Sequence, residues 1–455
     1  MKQRLLCLCL ALAWLCAACI QPQSDSVAPA SLPRLLVPSL TPIHFVFSAE
    51  DELVPEGALA QADSEPLNAA QNRVSADIIV PAPPTSTDLP PLTLSPTPQP
   101  APISVFAADY NPLTGLSADP ATLNRRPIVV KLSNSPALVR PQAGIGQADW
   151  VYEHYTEVGI TRFSAIFYGQ APQRVGSIRS ARLIDYELAP MYDALLAFAG
   201  ASIGVDKRIY GSEQVIADLC RPREDAEQCR QEASIIGPAG FVPPSEFARR
   251  AYKGVLFGAP LFYRDEEIPV PHNLFVDLSA LWARAERDGN GGRPSLRGAL
   301  QFSANPPSGE LGAGNTLEVR YLTTLAQWRY DANTGRYLRT TDGLPHFDAN
   351  TEQQVSADNV LVLYAGHYLT DIIESQWQET IHWSYQITLW PQGEALLLRD
   401  GKRYAARWLR PSRHETLTLV DMDGNPLPLK AGNTFVQVVR LPEQMDSTHE
   451  WVKAQ

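Results

Sequence analysis

Residues 160–201 read ITRFSAIFYGQAPQRVGSIRSARLIDYELAPMYDALLAFAGA, and this stretch decides the fold of the first half of the chain. The run at 160–168 mixes apolar and polar side chains in a way that predicts a largely buried strand. Residues 183–194 place apolar side chains at helical spacing, and the small apolar residues of 194–201 predict a central strand. This strand, helix, strand order predicts a sheet covered by helices.

The flanking sequence extends the same alternation. Residues 127–132, PIVVKL, are rich in β-branched side chains and predict another strand. Helical patterns recur at 213–219, 244–251 and 278–287. We therefore expect an α/β or α+β module over residues 106–300.

The character of the chain changes beyond residue 317, where short strand patterns alternate with turn signals. Asp342-Gly343, Asp400-Gly401 and Asp423-Gly424-Asn425 are typical hairpin turns. The pattern predicts a mainly antiparallel β module over residues 301–445. The predicted strands are 317–321, 328–330, 337–339, 360–364, 385–390, 394–399, 403–408, 416–420 and 435–439.

Residues 1–19 have the form of a secretory signal. A basic start, MKQR, precedes an apolar run from Leu5 to Ala18 that is shorter than the roughly 20 residues needed to span a bilayer. Ala17 and Ala18 stand directly before Cys19, as in a bacterial lipobox, although Cys16 stands where a leucine is usual. We expect Cys19 to be lipidated and to anchor the protein to the membrane. The alternative is an ordinary cleaved signal, with Cys19 incidental.

Residues 20–105 contain 16 of the 39 prolines and predict a disordered, semi-rigid spacer. Two arginines against nine acids give this segment a net charge of −7, out of −11 for the whole chain. Residues 106–455 carry 34 basic and 40 acidic side chains, or −6. This balance implies no basic face, so we do not expect a nucleic-acid partner.

Cys220 and Cys229 are the two cysteines beyond the signal, and they lie nine residues apart in a polar stretch. In an oxidising compartment this spacing predicts a local disulfide. The alternative, a pair of zinc ligands, lacks a nearby histidine or a second cysteine pair. We therefore predict neither a metal nor a cofactor.

Ten stretches in order resemble the YerB-like lipoprotein family, which is built from two successive domains of unknown function. The resemblance covers residues 110–440 and implies a lipid-anchored extracytoplasmic protein, but it supplies no reaction. The stretches are NPLTGL (111–116), NRRPIVVKLSNSP (124–136), RPQAGIGQADWVYE (140–153), GITRFSAIFYGQAP (159–172), VGSIRSAR (175–182), PHNLF (271–275), WRYDANTGRYLRTTDGLPHFD (328–348), DNVLVLYA (358–365), GEALLLRDGK (393–402) and DGNPLPLKAGNTFVQVV (423–439).

One group of charged side chains predicts a ligand site. Guanidinium groups beside the start of a helix suit a carboxylate or phosphate, and nearby acids can hold the arginines or contact hydroxyls. Two alternatives remain open, an internal ion-pair network and a catalytic centre. The candidates are Glu153, Glu157, Arg162, Arg179, Ser180, Arg182 and Asp185, with His272 and Asn273 as a polar pair that could join them.

The sequence contains no HExxH, GxxxxGK[ST] or GxGxxG motif, and we assign no catalytic residue from it. We therefore expect a binding or regulatory module for a cell-wall glycan or an anionic envelope polymer. The alternative is an envelope glycan hydrolase or transferase that uses Glu153 and Glu157 as paired carboxylates.

Overall fold

The computed structural model describes the backbone of residues 45–47 and 53–55, and residues 109–211, 245–298 and 300–455. Cys19, the cysteine pair Cys220 and Cys229, and the predicted helix at 213–219 lie outside these ranges.

Two short strands lie within the range predicted to be a disordered spacer. Strands β1 (Phe45–Phe47) and β2 (Leu53–Pro55) pair with each other in a two-stranded sheet.

The first half of the described chain is rich in strands, and its four helices are short. The strands are β3 (Ile128–Ser133), β4 (Trp150–Tyr155), β5 (Thr161–Phe167), β6 (Val175–Gly176), β7 (Leu195–Phe198), β8 (Ala251–Lys253), β9 (Phe262–Arg264) and β10 (Leu274–Val276). The helices are α1 (Asp185–Met191), α2 (Ile203–Tyr210), α3 (Gly254–Phe257) and α4 (Leu278–Arg287).

The second half is built from strands. They are β11 (Gly312–Ala313), β12 (Thr316–Arg320), β13 (Leu325–Asp331), β14 (Arg336–Thr341), β15 (Leu344–Pro345), β16 (Ser356–Ala357), β17 (Asn359–Trp377), β18 (Thr380–Thr388), β19 (Gln392–Arg399), β20 (Lys402–Leu409), β21 (Thr418–Val420), β22 (Thr434–Arg440) and β23 (Trp451–Ala454).

A single twelve-stranded sheet contains strands from both halves. Its main path runs β11-β20-β19-β17-β22-β4-β5-β3-β7-β8, with β18 paired to β17 and β21 paired to β20. The halves meet where β22 lies parallel to β4, with Thr434 opposite Trp150 and Gln437 opposite Glu153. Residues of β4 are buried throughout, as expected for a central strand covered on both faces.

Six strands of this sheet run in one direction and end at the same edge. Strands β17, β22 and β4 are parallel neighbours, as are β3, β7 and β8, while β5 runs antiparallel between β4 and β3. We call this edge the carboxyl edge. It is defined by the last paired residues Ala365, Arg440, Tyr155, Ser133, Phe198 and Lys253.

Apolar side chains cover both faces of the large sheet because they alternate along each strand. On β3, Val129 joins one apolar cluster, whereas Ile128 and Val130 join the other. Helices α1 and α2 pack on the first face. The second face packs against α4 and against a six-stranded antiparallel sheet, β15-β14-β13-β12-β23 with β16 beside β14.

Beyond the carboxyl edge, β17 continues with β18 as a two-stranded arm, residues 366–388. Two register shifts interrupt the pairing of the arm, between Leu369 and Ile373 and between Ile373 and Ser375. Such β-bulges bend a strand and redirect its side chains. The arm packs against α2, where Ile372 lies directly beside Gly204.

The structure is mostly strand, and the N-terminal half is sheet-rich rather than a clear α/β module. The predicted helix at 278–287 is confirmed as α4, and the helix predicted at 183–194 shortens to α1. The prediction of a helix at 244–251 is wrong for its described part. A 3₁₀ turn there leads into β8, because pairing with β7 satisfies this backbone.

The nine strands predicted beyond residue 317 each overlap a strand of the structure, and they pair with one another in antiparallel fashion except for β17 with β22. Within the described ranges, no helix is long and apolar enough to cross a membrane.

Candidate functional site

Residues 177–181, which include the predicted site residues Arg179 and Ser180, lie at the carboxyl edge as a wedge between the ends of β3 and β7. The Arg179 amide donates to the carbonyl of Lys131 at 3.0 Å, and the Ala199 amide donates to the carbonyl of Arg179 at 3.0 Å. The two parallel strands therefore separate around this segment. In open sheets, the crevice outside the carboxyl ends of parallel strands is where ligands bind.

Glu157, Arg162 and Arg182 come together beside this wedge. The Arg182 Nε donates to Glu157 Oε2 at 2.7 Å, and its Nη2 donates to Glu157 Oε1. The Arg162 Nη2 lies 3.8 Å from Glu157 Oε1, while its Nη1 donates to the Ser180 carbonyl at 2.8 Å. All three charged side chains are buried. Low polarity around them strengthens each contact.

Glu374, which sequence reasoning missed, adds a second carboxylate to this group. It lies on the bulged part of β17, and its Oε2 is 3.3 Å from Arg182 Nε. Burial raises the pKa of Glu374; Arg182 opposes that shift, and the negative charge of Glu157 reinforces it. Register shifts such as this one depend on tertiary pairing, so the sequence offered no signal for Glu374.

Asp185 belongs to an inner layer beneath these groups. The Lys131 ammonium contacts Asp185 Oδ1 at 3.1 Å, Ser164 Oγ at 3.1 Å and His154 Nε2 at 2.7 Å. The second oxygen of Asp185 accepts from the Arg182 amide at 2.7 Å. Burial lowers the pKa of Lys131 to about 8, an effect that Asp185 partly offsets. This layer connects β3, β4 and β5 to the start of α1.

Glu153 lies in a different network from Glu157. Its Oε2 accepts from Arg339 Nη2 at 2.8 Å, and its Oε1 accepts from Asn134 Nδ2 at 3.0 Å and from Thr161 Oγ1 at 2.9 Å. Arg339 belongs to β14 of the six-stranded sheet, so this ion pair lies on the second face. The structure therefore does not bring the two predicted carboxylates together.

His272 lies near Arg179. Burial, and then the positive charge of Arg179, lower the pKa of His272 to about 4. Neither ring nitrogen of His272 has a hydrogen-bond partner among the described residues. Asn273 pairs with a different residue: its Oδ1 accepts a hydrogen bond from Arg264 Nη1 at 2.7 Å.

Ser180 is half-buried beside Gly200, where a Cβ would lie 3.9 Å from its hydroxyl oxygen. No group of three histidine, cysteine or acidic residues suited to a metal ion occurs in the described ranges. A cavity of about 330 Å³ lies away from these predicted residues, lined in part by Tyr110, Tyr168 and Arg293.

Two sequence families match the chain in succession. "Protein of unknown function (DUF3048) N-terminal domain" matches residues 113–291, and "Protein of unknown function (DUF3048) C-terminal domain" matches residues 317–436. The chain belongs to the DUF3048 family. The junction of the two family domains falls between α4 and β12, yet β4 of the first pairs with β22, which begins in the second.

One relative in Bacillus subtilis (strain 168) is named "Putative lipoprotein YerB". It is 27% identical over 333 residues, which cover 72% of this chain and 85% of the relative. The crystal structure of YerB protein from Bacillus subtilis is similar to this fold, with a TM-score of 0.56 and 26% identity. That similarity covers 76% of this chain and 99% of the solved one. The prediction of a YerB-like family is therefore confirmed.

Proposed function

We propose that this DUF3048 protein is a lipid-anchored extracytoplasmic module that binds an anionic or hydroxyl-rich component of the cell envelope. Charged groups at the carboxyl edge would hold that component. The membrane would be its second partner, through a lipidated Cys19.

The observation that carries the proposal is the convergence of ionic side chains where six strands end. Three cations, Lys131, Arg162 and Arg182, lie against three acids, Glu157, Asp185 and Glu374. Burying so many charges costs free energy that an apolar core would avoid. A binding function at a topological switch point gives a physical reason for placing them there.

Polar groups with unused hydrogen-bonding capacity support the same reading. The hydroxyls of Ser202 and Ser384 and both oxygens of Glu374 are buried against one another, and their contacts lack the geometry of ordinary hydrogen bonds. Both ring nitrogens of His272, which lies near Arg179, are also buried without a hydrogen-bond partner among the described residues. Buried polar atoms are normally paired, so such atoms call for a ligand or an ordered water.

Lipid anchoring is proposed from the signal of residues 1–19 and from the name of the relative in Bacillus subtilis. Cys19→Ser should release the protein into the medium or leave an uncleaved precursor. Membrane fractionation and the mass of the mature N-terminus distinguish these outcomes. A variant that is processed and retained on the membrane like the wild type would contradict the anchor.

Binding is tested with the full chain in detergent and with purified wall material, before and after acid removal of its phosphodiester polymers. Arg179→Ala should weaken binding about 10- to 100-fold if a charge-assisted hydrogen bond of about 1.5–3 kcal/mol is lost. Arg174→Ala, which removes a partly exposed arginine paired with Asp265, is the matched control. A drop in thermal stability with unaltered binding per folded molecule would assign Arg179 a structural role instead.

The contacts do not favour the alternative of a glycan hydrolase that uses Glu153 and Glu157. Each carboxylate has its own arginine, Arg339 for Glu153 and Arg182 for Glu157. A pair of catalytic carboxylates must flank one scissile bond. We therefore propose no reaction.

A further inference from the structure

Glu374 reaches the carboxyl edge from a distant part of the chain. It lies on the arm, after the register shift at Ile373, and its carboxylate is 3.3 Å from Arg182 Nε. The bulge is needed for this approach, because it changes the face to which the side chains that follow it point. Arg182 thus contacts one carboxylate from the turn after β4 and another from the arm.

The surroundings of Glu374 also suit an anion. Ser202 precedes the first residue of α2, where backbone amides and the helix dipole favour negative charge. The hydroxyl of Ser202 makes no capping bond there, and it lies next to the Glu374 carboxyl group, as does that of Ser384. Both hydroxyls are buried, and neither has a partner of ordinary geometry within the described chain.

The Glu374 carboxylate makes poorly aligned contacts with the donors around it. Its two buried oxygens lie against Arg182 and the hydroxyls of Ser202 and Ser384, but none of these contacts has the geometry of an ordinary hydrogen bond. A native carboxylate at the start of a helix and beside an arginine normally accepts two or more such bonds. An anion that is free to orient itself could use the hydroxyls and the guanidinium better than a side chain tethered to β17.

The arm that carries Glu374 is covered on one face. Leu369, Ile373 and Ile381 are exposed by 62%, 44% and 37%, whereas Glu374, Ser375 and Ser384 face inward and are buried. A two-stranded hairpin is marginally stable by itself. The arm therefore depends on its inner face, and displacement of Glu374 would loosen it.

We propose that Arg182, Ser202 and Ser384 form a binding site for a carboxylate group, and that the chain's own Glu374 occupies this site until an external carboxylate displaces it. The inference rests on the proposed function and names its ligand class. A carboxylate on a sugar or at a peptide terminus would enter as Glu374 and the arm move outward.

Glu374→Ala tests the site directly. The substitution removes Cγ, Cδ and two oxygens, and these four heavy atoms are the four of acetate. The melting temperature of the full-length variant should rise by about 2–4 °C in acetate relative to the same concentration of chloride. Wild-type protein and Glu374→Gln should show a smaller difference, because their tethered side chain competes with acetate for the site. Glu374→Ser gives the same readout if the alanine variant does not fold.

Glu379→Ala is the matched control, because it removes an exposed acid at the tip of the same arm. An equal response to acetate in this variant, or none in Glu374→Ala, would overturn the proposal. Inorganic phosphate that stabilises Glu374→Ala as strongly as acetate would overturn the carboxylate class.

Glucuronate and N-acetylalanine, used in the same assay, separate an acidic sugar from a peptide terminus as the carrier of the carboxylate. A response to acetate that neither larger compound reproduces would overturn the claim that the site takes an external ligand. The wall-binding assay remains independent. If the wild-type protein binds wall material but acetate does not stabilise Glu374→Ala, the proposed function stands and this inference is rejected.

Discussion

Lys131 illustrates at the scale of one residue how the carboxyl edge is built. The side chain is fully buried on β3, and its ammonium group contacts acceptors on β4, β5 and α1. Three N–H donors therefore meet three acceptors, which is the condition for burying an ammonium group. The network fixes where α1 begins relative to the sheet.

Lys131→Met should destabilise the protein by about 3–5 kcal/mol, because Asp185 would be left buried without its cation. Urea unfolding followed by circular dichroism measures the change. Lys402→Met is the control, since Lys402 pairs with Glu310 on an exposed surface and its loss should matter little. Similar losses of stability in both variants would contradict the network's role.

The buried side chain of His367 leads to a prediction about how the stability of the protein depends on pH. Its Nδ1 hydrogen donates to the Ala365 carbonyl at 2.8 Å, and burial lowers its pKa to about 4. Between pH 6.5 and 4 the unfolded chain binds a proton that the folded protein refuses, so stability falls as the pH falls. This side chain should contribute up to about 3 kcal/mol to that fall.

His367→Gln should flatten the dependence of unfolding free energy on pH between 6.5 and 4.5. His414→Gln, at a side chain that is 46% exposed, should keep the wild-type slope. Chemical denaturation at several pH values gives both slopes. Identical slopes for wild type and His367→Gln would contradict the assignment.

At the scale of elements, helix α4 begins at the residue that the sequence predicts. Asp277 precedes it and accepts from the Ala280 amide at 3.1 Å, while Leu278, Leu281 and Trp282 are buried against the second face of the sheet. The cap satisfies one of the unpaired amides at the helix start. Helix α2 differs, because Ser202 holds the same position without making that bond.

Asp277→Ala should cost about 1 kcal/mol of stability through the lost cap, and Asp277→Asn or Asp277→Ser should restore most of it. Ser202→Ala should cost less, since no capping bond is lost. Thermal unfolding of the four variants ranks them. The cap assignment fails if Asp277→Ala and Asp277→Asn are equally destabilised.

At the scale of the whole molecule, the two DUF3048 domains share one sheet and a buried ion pair. Glu153 on β4 contacts Arg339 on β14, and the guanidinium of Arg339 lies 4.9 Å from the ring of Phe435 on β22. Elements from both family domains therefore enclose the same charges. We expect the described parts of the two domains, residues 109–211, 245–298 and 300–455, to lose their structure in one cooperative transition.

Arg339→Met should destabilise the protein by about 3–5 kcal/mol, because Glu153 would remain buried without its arginine. The double variant Glu153→Gln with Arg339→Met should recover part of that loss. Arg140→Met is the matched control. Arg140 also joins the two domains, through Asp342, but this pair is partly exposed and should contribute no more than about 1 kcal/mol. A double-mutant cycle with no coupling would contradict the assignment.

The sequence by itself determined the features that depend on neighbours along the chain. Short strand patterns separated by turn signals identified nine strands of the second half, and apolar spacing identified α4. The dipeptides Asp342-Gly343 and Asp400-Gly401 determined two-residue hairpin turns, and all four residues have the positive φ that such turns require. The ten ordered stretches also identified the family.

The tertiary structure alone decided which charged groups meet. Strand β4 pairs with β22, almost 300 residues later, and no local pattern encodes that partner. The same pairing places Glu153 with Arg339, whereas the turn after β4 sends Glu157 to Arg182. A bulge in β17 then brings in Glu374. Strand pairing and register are set by long-range burial and hydrogen bonding. For this reason Glu153 and Glu157, which are close in sequence, lie in different networks, whereas the distant Arg182 and Glu374 are in contact.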